Sequence, residues 1–282
     1  MANVLLLSML AVFGLLIGSF VNVVIVRVPV GESIIRPPSK CPLCAAGIRP
    51  RDNIPVVSWL LLKGRCRSCA EPIPAGYPLV ELGNAVLWVL AGVRFGATWE
   101  LVPFALFFSV LLALSVIDLE LYILPNKITY PSVLISAAAI VVLSYVAVDD
   151  PGRAILGAFV GGFGYAFFLG ITLIAYELIV HKEGMGMGDV KLAALLGLWV
   201  GWINPFLVLY ALIAASVLGL VVGVGILVVR RASKPYPFGP WLALGAVVVI
   251  LASGPILDRV RADEPGDDPV AARGSSALEV GR

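Results

Sequence analysis

The stretch VLLLSMLAVFGLLIGSFVNVVIV, Val4 to Val26, runs for 23 residues without a charged side chain. As an α-helix rising about 1.5 Å per residue it is about 35 Å long, enough to cross a hydrocarbon core of about 30 Å. It lacks the basic start, the short apolar centre and the small-residue cleavage site of a secretory signal, so it reads as a retained first span. Seven further apolar runs follow: Leu79 to Val93, Leu101 to Ile117, Pro131 to Val148, Ala154 to Val180, Lys191 to Ile203, Pro205 to Val229 and Trp241 to Leu257. The sixth of the eight is short, and the second and third lie close together, so seven crossings are the alternative count. The expected fold is all-α and polytopic, an integral membrane protein of about eight transmembrane helices.

Composition agrees with that reading. Hydrophobic residues make up 60% of the 282 and charged residues 13%, with a mean hydropathy of +1.00. A soluble chain carries about twice that charged share, so a water-soluble fold is excluded and the lipid bilayer is the expected surrounding. The net charge is only +2, and eight of the twenty Lys and Arg crowd between Arg27 and Arg67, so nucleic acid is not an expected partner. With the N-terminus outside, the loops at 27–78, 118–130, 181–190 and 230–240 fall on the cytoplasmic side. They hold fourteen basic residues counting Lys191, against six on the other side, as the positive-inside rule requires. Glycine pairs four apart (Gly14 and Gly18, Gly157 and Gly161, Gly197 and Gly201, Gly219 and Gly223) read as helix-packing faces. The segment 258–282 is polar, with Pro, Gly and both charge signs, and reads as a disordered tail.

All four cysteines lie in the first cytoplasmic loop, as Cys41-Pro42-Leu43-Cys44 and Cys66-Arg67-Ser68-Cys69. Two such knuckles let four thiolates converge tetrahedrally on one zinc ion. Two disulfides are the alternative, disfavoured in a reducing cytosol. Four thiolates leave no open coordination position, so the zinc is expected to be structural, clipping together a loop too poor in apolar side chains to fold alone. Residues 27–78 thus form a small cytosolic zinc-binding domain with four cysteine ligands.

Charges near lipid are costly and usually functional. Asp118 closes the third span, just before Leu124-Pro125-Asn126 breaks the helix, and Asp189 stands in Gly184-Met185-Gly186-Met187-Gly188-Asp189-Val190-Lys191, just before the short sixth span. The topology puts both at the same face. Two carboxylates brought together there can share a proton, one acting as base on a water and the other as acid toward a carbonyl. Each also has a plain structural reading, Asp118 as a solvated helix end and Asp189 as a helix N-cap. Glu120 is expected to be solvated, Asp149 and Asp150 to mark an outer turn before Pro151, and the lone His181 to have no ligand role. An ion transporter with a zinc-regulated gate is the reading from another class; the absence of charges at mid-depth and of an inverted repeat argues against it.

The motifs resemble the type IV prepilin peptidases almost end to end. They run from Gly18-Ser19-Phe20-Val21-Asn22-Val23-Val24 through the knuckles to Arg49-Pro50-Arg51-Asp52-Asn53-Ile54-Pro55-Val56-Val57-Ser58-Trp59 and Tyr77-Pro78-Leu79-Val80-Glu81-Leu82. The two aspartate segments and Pro237-Phe238-Gly239-Pro240 complete the series. The resemblance implies a GxGD-type aspartic peptidase with catalytic Asp118 and Asp189, supported by Gly186, Gly188 and Lys191, in a peptidase domain spanning 79–257. It implies type IV prepilins or pseudopilins as substrates, cut at the cytoplasmic face of the inner membrane. It also implies N-methylation of the new terminus with S-adenosylmethionine, for whose site Glu81 is the one candidate; the alternative is a peptidase alone, with the zinc loop as a substrate dock. Two departures are visible: Asn126 stands where the family commonly has Asp, and Gly83-Asn84-Ala85 replaces the usual residues after Glu81-Leu82.

Overall fold

The computed structural model describes residues 2–181, 186–230 and 237–262, and among them it has ten α-helices and no β-strand. The long helices are α1 (Ala2–Arg27), α3 (Gly76–Phe95), α4 (Leu101–Leu121), α5 (Asn126–Ala147), α6 (Pro151–Val180), α7 (Met187–Ile203) and α8 (Leu207–Arg230). A short α2 (Val57–Leu61) lies in the cysteine loop, and α9 (Gly239–Leu251) and α10 (Ser253–Ala262) close the described chain. Six helices are long and apolar enough to cross a membrane, and α9 with α10 forms a seventh candidate bent by 65°. The bend falls where Pro255 cannot donate to the Leu251 carbonyl. α7 occupies the place of the remaining expected span but has only 17 residues, about 25 Å of helix. The chain is a multi-pass membrane protein.

Boundaries differ from the sequence reading at three informative places. α7 begins at Met187, so Asp189 lies inside its first turn rather than in the loop before it. α4 continues to Leu121, where Tyr122 adopts a left-handed conformation and donates its N–H to the Asp118 carbonyl at 2.9 Å; Asp118 is therefore one turn inside the helix. α10 carries Asp258 to Ala262 as helix, while the rest of the expected tail lies outside the described residues.

Glycine faces bring the helices together. Gly161 and Gly157 of α6 meet Gly197 and Gly201 of α7 backbone to backbone, and a Cβ added at Gly197 would run into the Gly161 carbonyl. Gly14 and Gly18 do the same for α1 against Ala85 and Glu81 of α3. With no hydrophobic drive between helices in lipid, such close approach and interhelical hydrogen bonds carry association. Trp88 Nε1 donates to Ser109 Oγ, Trp199 Nε1 to Ser136 Oγ and Trp202 Nε1 to Ser144 Oγ, each at 2.9 Å, tying α3 to α4 and α7 to α5. Large apolar side chains on the outer helices, such as Leu134, Phe163 and Leu220, are open to the surroundings, as a lipid-facing surface demands. α4 and α7, which carry the two aspartates, are with α9 the most enclosed helices among the described residues.

Candidate active site

Asp118 and Asp189, 71 positions apart in sequence, converge at one end of the bundle. They are 5% and 7% exposed, a depth at which neither is a solvated helix end. The N-terminus of α9 lies between them. A Cβ placed on Gly239 would be 2.6 Å from Asp118 Oδ2 and 3.5 Å from Asp189 Oδ1, so the two oxygens are at most about 6 Å apart, the scale on which one water joins two carboxylates. The Gly239 amide faces the Asp118 carboxylate, at the positive end of a helix, where negative charge is favoured. Asp118 Oδ2 is nevertheless buried without a hydrogen-bond partner among the described residues.

Asp189 is the third residue of α7; its carboxylate faces the Gly186 backbone amide, and its own N–H donates to the Gly186 carbonyl at 3.0 Å. Its neighbour Gly188 packs on the turn after α4, and a side chain there would meet Leu124 Cβ at 3.0 Å. The alternating glycines thus let the α7 turn close against the α4–α5 turn, which sets the two carboxylates side by side. Lys191 Nζ donates to Asn126 Oδ1 at 2.9 Å and lies 5.0 Å from the centre of the Tyr130 ring. A cavity of about 410 Å³ opens here, lined by Asp118, Asp189, Tyr122, Leu124, Lys191 and Phe238 among others. Paired buried carboxylates in such a cleft can split acid and base roles, the chemistry of aspartic peptidases.

Gly239 and Phe238 were not legible as site residues, since the Pro237-Phe238-Gly239-Pro240 signal by itself says only turn and helix start. Glu120 is exposed, Asp150 caps α6 by accepting from the Arg153 N–H at 3.0 Å, and His181 is the left-handed C-cap of α6. Gly184 and Met185 lie outside the described residues.

Away from this cavity, the four cysteines form a cluster whose sulfurs all lie within 4.8 Å of one another, Cys41 Sγ and Cys69 Sγ at 3.9 Å. A tetrahedron with zinc–sulfur bonds of about 2.3 Å has edges of about 3.8 Å, so the donor set fits zinc. Each knuckle repeats one geometry. Ala45 and Ala70 take left-handed conformations and return their N–H to the Cys41 and Cys66 carbonyls, at 3.0 and 2.9 Å. The Cys44 and Leu43 amides aim at Cys41 and bring its pKa down from 9.0 to about 7. Arg67 clamps Asp52 with both nitrogens at 2.6 to 3.0 Å, closing the loop between the knuckles. Glu81 joins neither cluster: its Oε2 accepts the Val56 N–H at 2.7 Å.

Known proteins match in the same two parts. Residues 12–95 fit the family model described as the bacterial peptidase A24 N-terminal domain, and residues 105–224 that of the type IV leader peptidase family. A protein of Aeromonas hydrophila named prepilin leader peptidase/N-methyltransferase is 37% identical over 270 residues, 86% of this chain and 90% of its own. Proteins of the same name from Pseudomonas aeruginosa (36% identical, 84% and 87% covered) and Myxococcus xanthus (41%, 80% and 64%) are also similar. No solved structure matches the chain. With relatives this similar over most of both chains, and paired buried aspartates inside the matched region, the chain belongs to the type IV leader peptidase family.

Proposed function

We propose that the chain removes the leader from type IV prepilins or pseudopilins at the cytoplasmic face of the inner membrane and then N-methylates the new terminus. The convergence of Asp118 and Asp189 on Gly239 is the observation that carries the peptidase reading. One carboxylate takes a proton from water, whose oxygen attacks the scissile carbonyl carbon, while the other, protonated, donates to the carbonyl oxygen. When the tetrahedral intermediate collapses, the C–N bond breaks and the proton taken from water passes to the departing amine. The Gly239 amide steadies negative charge on Asp118, and Lys191, held by Asn126 and Tyr130, adds positive charge to the cleft. Gly186 and Gly188 hold Asp189 in register.

Cys41, Cys44, Cys66 and Cys69 would hold a structural zinc that fixes the loop between α1 and α3. S-adenosylmethionine is the methyl-donating co-substrate. The basic excess of the loops at this end of the bundle supports its placement in the cytosol. Incubating the purified protein with a prepilin and S-adenosylmethionine tests the whole reading. It should yield free leader and a mature chain one methyl heavier, and leader loss that survives Asp118→Ala or Asp189→Ala would overturn the dyad.

A further inference from the structure

Glu81 is a buried carboxylate that the dyad does not use. It stands in the second turn of α3, 8% exposed, where α1 comes so close that a Cβ on Gly18 would lie 2.8 Å from the Glu81 Cα. A carboxylate in such a place must be met by donors. Ser19 and Asn22 of α1 face it, and Asn22 donates to the Tyr77 carbonyl at 3.0 Å, bracing the start of α3. From the cysteine loop the Val56 N–H donates to its Oε2 at 2.7 Å.

Val56 itself is strained. Its φ of 60° and ψ of −49° place a β-branched residue where such residues are outliers. The Val57 N–H reaches the Pro55 carbonyl at 2.6 Å, a three-residue γ-turn of the rare positive-φ kind. Such a conformation persists only where its surroundings over-determine it. The flanks are fixed from within the loop, since Ser58 Oγ accepts the Ile54 N–H at 2.8 Å and donates to the Arg51 carbonyl at 3.1 Å. The turn's own amide is fixed from outside, by Glu81. α2, which follows the turn, packs on the 3-10 turn Pro50–Asp52 within the loop, and the hydrogen bond from Val56 ties the loop directly to α3.

We propose that Glu81 is a positioning residue: by holding the Val56 amide it seats the cysteine loop on α1 and α3 in the register that methyl transfer needs. The methyl-transfer clause rests on the bifunctional reading above. The first family match, from residue 12, contains most of α1 with the loop and Glu81, whereas the second contains both aspartates. Unseating the loop therefore spares cleavage.

The full-length protein in lipid nanodiscs tests this with Glu81→Ala and Glu81→Gln. Three quantities are read: tryptic nicking within 28–75, zinc per chain, and the methylated fraction of mature pilin against leader released. Leaving the Val56 N–H without an acceptor shifts an equilibrium by about tenfold, so Glu81→Ala should be nicked faster and methylate less by about that factor. Its zinc content and leader release should stay near wild type. Glu81→Gln, whose amide oxygen still accepts from Val56, should follow wild type throughout. Should the alanine variant fail to fold, Glu81→Asp, one methylene short, should show the same pattern more weakly. Wild-type nicking of Glu81→Ala or Glu81→Asp, equal loss of cleavage and methylation, or a glutamine variant as defective as alanine would each overturn the proposal. If wild-type protein releases leader but adds no methyl, the bifunctional reading fails by itself and the nicking comparison still decides whether Glu81 seats the loop.

Discussion

Replacing Gly239 by alanine probes the floor of the cleft with a single methyl group. That carbon would stand 2.6 Å from Asp118 Oδ2 and 3.5 Å from Asp189 Oδ1. Carbon–oxygen contacts settle near about 3.3 Å, so the Asp118 carboxylate or the start of α9 must retreat by about 0.7 Å. Neither moves freely: Asp118 is 5% exposed, and Pro240 and Leu242 of α9 are buried. A displacement of about 1 Å at a reacting group costs about 10²-fold in rate, and overpacking a filled site costs about 1–3 kcal/mol of stability. Leader release from a prepilin by purified Gly239→Ala should therefore fall about a hundredfold while the protein still folds. Gly164→Ala is the control, because nothing lies within 4 Å of a Cβ added there, and it should cleave as wild type does. Cleavage by Gly239→Ala at the wild-type rate would refute the placement of α9 against the dyad.

The α6–α7 interface makes a second test. Gly197→Ala directs a methyl at the Gly161 backbone carbonyl, which no rotamer change can relieve, so it should destabilise by about 1–3 kcal/mol and lower Tm where Gly164→Ala does not. Elemental analysis should find one zinc per chain, and Cys41→Ser with Cys66→Ser should abolish it; unchanged zinc in that double variant would refute the four-cysteine site. Arg67 holds the Asp52 carboxyl below its ordinary 3.8 through hydrogen bonding. A lowered carboxylate pKa contributes stability that is full above the unfolded value and is lost as pH falls through the folded one, so this pair's contribution should be intact at neutral pH, begin to fall near about pH 4 and vanish only below the lower folded value. Carbon NMR should place the Asp52 midpoint below the ordinary range, and Arg67→Ala should return it there.

Local chemistry made much of this molecule legible before any coordinates. Spans show in sequence because lipid demands about 20 apolar residues in a row, and the cysteines show because two knuckles carry their ligand geometry in their own spacing. Asp118 and Asp189 stood out because so few carboxylates border the apolar runs. What was hidden depends on tertiary approach. Nothing near Gly239 in sequence says that its missing side chain leaves room for a carboxylate 121 positions earlier. Glu81 stood in the sequence only as a candidate for the S-adenosylmethionine site, and only the γ-turn at Val56 reveals what it holds. The position of Asp189 inside α7 was missed because alternating glycines read as loop, whereas the helix tolerates Gly188 and needs it small against Leu124.

The central claim is that Asp118 and Asp189 act as one unit. Leader cleavage by Asp118→Asn, Asp189→Asn and the double variant, compared at matched folding and expression, tests it most directly. Residues that work as a unit are strongly non-additive. Each single variant should fall to the same floor, at least about 10³-fold below wild type, and the double variant should fall no further. A single variant that keeps a tenth of wild-type cleavage, or losses that multiply in the double variant, would contradict the account.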